Sequence, residues 1–322
     1  MPSSSAVLAT IPVGLEPRQV TVAPDGQRAY VSLSDLSPDS PRGAVGVIDT
    51  GSNTLIATVT VGILPGGVVV APDGRHAYVP NIQHGGVVSV IDTATNAVAD
   101  NITVSVPTSR PLEAAITPDG RELYVAISDA GPSDQQGAVT IIDTEQRAVA
   151  ASVVLTPCED PAATTITPDG RFVWVLNIEG SGPAVFDTTT HDMSFPLPTD
   201  IACGRMAFTP DGAFVYLFPA FEDTGEVFEV ATRKLVTVFD TFGGNTTDVA
   251  VTPDGRHVYV TQRPGKSAGG RALVIDTTTQ KRVDPPIDLP QSADGLAFTP
   301  DGLSAYVTDR PSREVHVIAV HP

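Results

Sequence analysis

Apolar and polar positions alternate along this chain in short runs, and each run stops at a cluster of Gly, Pro, Asp, Asn or Thr. Val249-Ala-Val-Thr252 leads into Pro253-Asp-Gly255, and His257-Val-Tyr-Val-Thr261 follows it. Period-two alternation bounded by turn residues predicts β-strands. Pro presets φ and Gly supplies positive φ, so Pro-Asp-Gly predicts a tight hairpin between the two runs. A third run ends in Ile-Asp-Thr, as at Ile48-Asp49-Thr50, Ile91-Asp92-Thr93 and Ile275-Asp276-Thr277. A polar turn such as Thr95-Asn96 then leads to a fourth run, of which Leu55-Ile-Ala-Thr-Val-Thr-Val61 is an example. No apolar run approaches the roughly 18 residues of a membrane-spanning helix.

The four-run unit repeats. Pro-Asp-Gly recurs at Pro24, Pro72, Pro118, Pro168, Pro210, Pro253 and Pro300, at spacings of 42 to 50 residues that account for the whole chain. That period in an all-β sequence predicts propeller blades. The expectation is one domain over residues 1–322, a seven-bladed β-propeller of four-stranded antiparallel blades. The last unit stops after its third run, Val315–Val320, while a spare run, residues 6–13, precedes the first Pro-Asp-Gly. The spare run fits the vacancy, so the N-terminal strand is expected to complete the last blade and close the ring, covering sheet edges that would otherwise template aggregation.

Tyr78-Val-Pro-Asn81 and Tyr259-Val-Thr-Gln262 bring the second run close to a known signature. Over its full length the sequence resembles the YVTN-type β-propeller repeat family. The resemblance implies seven four-stranded blades around a central channel. It implies little about activity, because propellers host binding, scaffolding and catalysis alike.

Composition narrows the choices. All six Tyr (Tyr30, Tyr78, Tyr124, Tyr216, Tyr259, Tyr306) hold one position of the second run, and the single Trp174 replaces Tyr in the fourth unit. They are expected in the core. The formal charge of −18 is largely structural. Seven Asp belong to Pro-Asp-Gly, and Asp49, Asp92, Asp143, Asp187 and Asp276 end third runs, which leaves 25 acids against 19 basic residues. There is no basic stripe of the kind nucleic acid needs. The N-terminus lacks a basic segment followed by an apolar one, so a cytoplasmic location is expected, with no membrane partner, and a monomer.

In a propeller the loops between second and third strands and the blade connections share one face, and functional residues concentrate on such loops. Glu16, Arg18, Arg110, Glu113, Arg205, Asp248, Arg263 and Asp294 all fall there. Two readings are open: a self-neutralising ring of charge, or a polar ligand site at the channel mouth. In the second, Arg18, Arg110, Arg205 and Arg263 clamp an anionic group and a carboxylate acts as base. Asp248, Glu113 and His84, which is the only His in such a loop, are the candidate catalytic groups. Seven of the eleven Phe lie between Phe208 and Phe242. Phe218, Phe221 and Phe242 form either part of the core or an apolar wall of that site. Histidine is too dispersed for a zinc or copper centre, and no metal or other cofactor is expected. Ca²⁺ held by Glu113, Asp248 or Asn oxygens is the alternative. Gly265-Lys-Ser-Ala-Gly269 matches a nucleophile motif but lies in a strand-to-strand loop, where no strained elbow holds the Ser.

The first functional expectation is therefore a site for a small polar or anionic metabolite. It would serve a cofactor-independent acid–base enzyme of the lyase, isomerase or lactone hydrolase type. The alternative is a platform whose loops grip a protein partner. Cys158 and Cys203 stand 45 residues apart, close to one repeat, in adjacent blade connections. A structural disulfide between them is the favoured expectation.

Overall fold

The computed structural model describes residues 7–37, 41–82, 86–104, 110–128, 137–155, 161–177, 182–194, 197, 199, 203–219, 224–241, 245–263 and 269–320. These form seven four-stranded antiparallel sheets, with no helix among the described residues. This is the fold of a seven-bladed β-propeller. Contacts gather the chain into two compact units. Unit 1 comprises Met1–Val31, Gly46–Ile56 and Gly204–Pro322, and unit 2 comprises Ser32–Val45 and Ala57–Cys203.

Blade 5 runs Cys203–Phe208, Phe214–Pro219, Thr224–Glu229 and Lys234–Asp240, and blade 6 runs Asn245–Val251, His257–Arg263, Gly270–Asp276 and Lys281–Leu289. Blade 7 takes Leu296–Phe298, Ser304–Asp309 and Glu314–Ala319 from the C-terminus and Val7–Pro12 from the N-terminus. In unit 2, blade 2 holds Val69–Val70, His76–Asn81, Val87–Asp92 and Ala97–Thr103, and blade 3 holds Arg110–Ile116, Glu122–Ser128, Gly137–Asp143 and Ala148–Leu155. Blade 4 holds Pro161–Ile166, Phe172–Asn177, Ala184–Asp187 and Met193–Ser194. Blade 1 consists of Glu16–Val22, Arg28–Asp35, Arg42–Asp49 and Thr54–Val61, and the division between units falls within its last three strands.

The two sequence motifs interlock inside a blade. The Thr of Ile-Asp-Thr and its counterparts donates its hydroxyl to the Gly carbonyl of the same blade's Pro-Asp-Gly: Thr50 to Gly26, Thr93 to Gly74, Thr144 to Gly120, Thr188 to Gly170 and Thr277 to Gly255, at 2.5–2.8 Å. The Asp before it caps the next turn, as where Asp276 Oδ1 accepts from Thr279 N. Four residues after that Asp the chain turns left-handed at Asn53, Asn96, Arg147, His191 and Gln280, with φ of 52–60°. Two core tyrosines of unit 1 reach these residues: Tyr216 donates to Gln280 Oε1 at 3.0 Å, and Tyr306 to Asn53 Oδ1 at 2.7 Å. Tyr216 and Tyr306 thus fill the core and latch one blade's second strand to another blade's turn.

The N-terminal strand pairs antiparallel with the third strand of blade 7, Thr10 opposite His316 and Ile11 opposite Val315. His316 is buried, its Nδ1 3.2 Å from Thr10 Oγ1 and its Nε2 3.3 Å from Asp309 Oδ2.

The turn aspartates have a consequence for acid stability. In five blades the residue before Pro-Asp-Gly is Thr, and its hydroxyl donates to the Asp at 2.6 Å. That bond holds Asp119, Asp169, Asp211, Asp254 and Asp301 below the ordinary carboxylate range. Hydroxyls of Ser52 and Thr95 do the same for Asp49 and Asp92, and the Thr189 and Thr279 N–H groups for Asp187 and Asp276. A carboxyl whose folded pKa is depressed stabilises the fold above its unfolded value of about 4, and that stability is lost as pH falls through the folded value. The melting temperature is therefore expected to hold between about pH 7 and 5 and to fall steadily below about pH 4. A melting temperature unchanged down to about pH 2 would contradict this account.

Candidate functional site

The site grows from one register position, five residues before the Pro of Pro-Asp-Gly, in or just before the first strand of each blade. In unit 1 that position is Gln19, Arg205, Asp248 and Gly295. In blade 6 the strand register shifts between Thr246 and Asp248, and such a bulge re-aims the following side chain. The three polar members meet. Gln19, its amide oriented to satisfy both neighbours, donates to Asp248 Oδ2 and accepts from Arg205 Nη2, each at 3.1 Å.

Arg205 is locked in place by backbone. Its Nε donates to Thr247 O at 2.8 Å and its Nη1 to Gly204 O at 2.9 Å, and Nε lies 3.8 Å from Asp248 Oδ1. The Asp248 side chain is 14% exposed. Its Oδ1 accepts from Val249 N and its Oδ2 from Leu296 N, both at 2.9 Å. Burial raises its pKa above the ordinary carboxylate value, against the opposing pull of Arg205 and the two N–H groups. With Gln19, three of the roughly four acceptor sites of a carboxylate are filled.

A second cluster in the same unit is stitched to the first through the chain, at Arg18 beside Gln19 and at Asp294 two residues before Leu296. Asp294 is only 5% exposed. Its Oδ1 accepts from Arg263 Nε at 2.7 Å and lies 2.6 Å from Arg263 Nη2 and 3.3 Å from Arg310 Nη2. Its Oδ2 accepts from Ser292 Oγ at 2.9 Å and Arg310 N at 3.2 Å. Burial first, then Arg310 and Arg263, push the Arg18 guanidinium below its ordinary pKa, while Glu16 and Asp294 act the other way. Thr308 Oγ1 accepts from Gly295 N at 2.6 Å and donates to Arg18 O at 2.8 Å, fixing the two backbones together.

The structure thus brings two of the expected site residues, Arg205 and Asp248, together through Gln19, and gathers two more, Arg18 and Arg263, in the second cluster. Glu113 and Arg110 belong to unit 2. The Glu113 carboxylate occupies the space beside Gly67, where an added Cβ would lie 2.5 Å from Oε2, and Arg110 is exposed. Phe218 is a correction to the apolar-wall expectation. It is fully buried among Tyr216, Val227 and Phe239, because Gly225 opposite leaves room for its ring. His84, Phe221, Phe242 and Cys158 lie outside the described residues, as does the side chain of Cys203, so the disulfide expectation falls outside them too. Among the described residues no three His, Cys, Asp or Glu are grouped to hold a metal ion. Nor is any helix among them long and apolar enough to cross a membrane.

Sequence reasoning missed Gln19 and Arg310. Gln19 carries a legible signal, because it shares the register position of Arg205 and Asp248. Arg310 carries none, since its approach to Asp294 depends on how the turn after Asp309 folds back. A separate groove of about 580 Å³ lies in unit 1 on the Pro-Asp-Gly side, lined by Asp25, Asn53, Asp301 and Tyr306 among others. Asp301 there is already engaged by Thr299.

No protein-family model matches the chain, and no curated protein matches it. Among solved structures, the chain is similar to hydrazine synthase of Kuenenia stuttgartiensis, with a TM-score of 0.76 and 20% sequence identity over 95% of this chain and 96% of that one. At that identity the likeness bears on the fold.

Proposed function

We propose that the loop face of unit 1 binds a small polar or anionic metabolite and that the chain acts on it by acid–base chemistry without a cofactor, as a lyase, isomerase or lactone hydrolase would. The supporting observation is Asp248. It is a largely buried carboxylate with a raised pKa, tied through Gln19 to a backbone-locked arginine and stitched along the chain to three further arginines. Groups whose pKa is displaced by burial beside a specific charge partner concentrate at functional sites. The similar solved structure comes from an enzyme, which is compatible with catalysis on this fold. The reading also takes the chain as a YVTN-type repeat protein, on the strength of Tyr78–Asn81, Tyr259–Gln262 and the repeat period.

In this reading Asp248 accepts a proton through its remaining acceptor site, and Arg205 stabilises negative charge that develops on the substrate. A metabolite screen by thermal shift, followed by turnover assays on the hits, tests it. The acid limb of the rate profile is expected above the ordinary carboxylate value of about 4, because Asp248 must be ionised to act as base. Asp248→Asn is expected to abolish turnover and that limb together. Turnover unchanged in Asp248→Asn would overturn the role given to it.

One observation favours protein binding instead, through a strand and not through the loops expected of a platform. Leu235, Val236 and Val238, on the fourth strand of blade 5, are each 45–50% exposed. Loss of a partner on Val236→Lys, with no metabolite bound by the wild type, would support that alternative.

A further inference from the structure

The arginine cluster says what kind of group the ligand carries. Arg263 and Arg310 bind Asp294 directly, and Arg18 lies within electrostatic reach of both arginines, of Glu16 and of Asp294. Among these five groups three positive charges stand against two negative, in a chain whose formal charge is −18. Asp294 is spent inward: donors from Ser292, Arg263 and Arg310 engage both its oxygens, and it is almost inaccessible. The guanidiniums are not. Arg263 is 45% and Arg310 30% exposed, so they present charge to solvent from a base held rigid by a buried carboxylate. Arginine forks fixed in this way match the oxygens of carboxylate and phosphate groups. The depressed Arg18 pKa fits the same geometry, since neighbouring cations cause part of it and an anion would relieve it.

We infer that Arg18, Arg263 and Arg310 receive a doubly charged oxyanion, either a phosphate monoester or a dicarboxylate, and that this is the group by which the metabolite proposed above is held. The inference rests on the reading of this face as a ligand site. It assigns binding to the arginine cluster and leaves proton transfer to Asp248.

Isothermal titration of the full chain tests it, with inorganic phosphate and malonate as separate probes and sodium chloride at matched ionic strength as control. The expected result is saturable one-to-one binding of at least one probe, absent with chloride. Phosphate alone assigns the phosphate monoester, and malonate alone the dicarboxylate. Arg310→Ala and Arg263→Lys are expected to weaken binding by about tenfold or more, the second by losing the fork while keeping the charge. Arg42→Ala, an exposed arginine paired with Asp35 in blade 1, is expected to leave it unchanged. If neither probe saturates the wild type, or if Arg42→Ala weakens binding as much as Arg310→Ala, the inference is overturned. The wild-type titration decides even where a variant folds poorly. The two readings also fail separately. Turnover lost in Asp248→Asn but insensitive to Arg310→Ala removes the arginine assignment and leaves the enzyme. Oxyanion binding that survives in Asp248→Asn, with no turnover of any metabolite, removes the enzyme and leaves the arginine assignment.

Discussion

A chain lacking residues 1–13 is expected to melt roughly 6–12 °C below the full-length protein. The N-terminal strand is the fourth strand of blade 7, and the deleted segment supplies two core side chains, Ile11 in that strand at 2% and Val13 just after it at 4% exposure. Burying an aliphatic side chain of this size is worth about 1.5–3 kcal/mol, so losing both costs about 3–6 kcal/mol. In a chain of this length each kcal/mol moves the melting temperature by roughly 2 °C. The deletion also strips the Thr10 hydroxyl from buried His316 and leaves the Glu314–Ala319 strand as an open edge next to an apolar face. Thermal unfolding followed by circular dichroism, with light scattering to detect edge-to-edge association, checks both effects. A truncated chain with an unchanged melting temperature would show that the strand adds nothing to blade 7.

The blades were legible because each is written by short-range chemistry. Pro-Asp-Gly needs only its own three residues to turn the chain, and the Asp ending the third strand needs only the next few N–H groups. The sequence also showed that the run at residues 6–13 was spare and that the last blade lacked a strand. What it did not show is that Thr50 and Gly26, or Thr277 and Gly255, are hydrogen-bonded, so two motifs read as independent are one clasp.

The site was legible in part, and the reason is distance along the chain. Arg205 and Asp248 could be named because they stand in blade connections. Their bridge, Gln19, lies more than 180 residues from Arg205 in sequence, and only a shared register position relates them. Arg18, Arg263 and Arg310 carry the same charge, and their sequence neighbourhoods say nothing of the common Asp294. Phe218 shows the opposite limit. An apolar residue at a strand end is compatible with core or pocket, and the choice is made by Gly225, whose missing side chain admits the ring: a Cβ there would lie 2.3 Å from it. Glycine at that place reads in sequence as an ordinary turn or strand end.

Gly295→Ala is expected to destabilise the protein by about 2–3 kcal/mol and to abolish oxyanion binding at the arginine cluster. Gly295 takes the register position that Gln19, Arg205 and Asp248 hold in their blades, yet it carries no side chain, because the backbone of blade 1 lies against it. A Cβ there would stand 2.7 Å from Arg18 O and 2.9 Å from Gln19 Cα. Those are backbone atoms, held by Thr308 between Gly295 N and Arg18 O, so no flexible side chain can swing aside. The methyl must push the Arg18–Gln19 segment away from the 294–296 segment. That shift parts Gln19 from Asp248, whose Oδ2 is also held by Leu296 N, and moves Arg18 away from Asp294 and Arg310. One substitution outside the charged groups therefore tests whether the two clusters act as a unit. Gly51→Ala is the control: its new Cβ would meet only Asp49 Oδ1, at an ordinary 3.6 Å. Urea unfolding of both variants, with the phosphate and malonate titrations repeated on each, makes the measurement. Equal stability and equal binding in the two variants would show that the close approach at Gly295 does not organise the site.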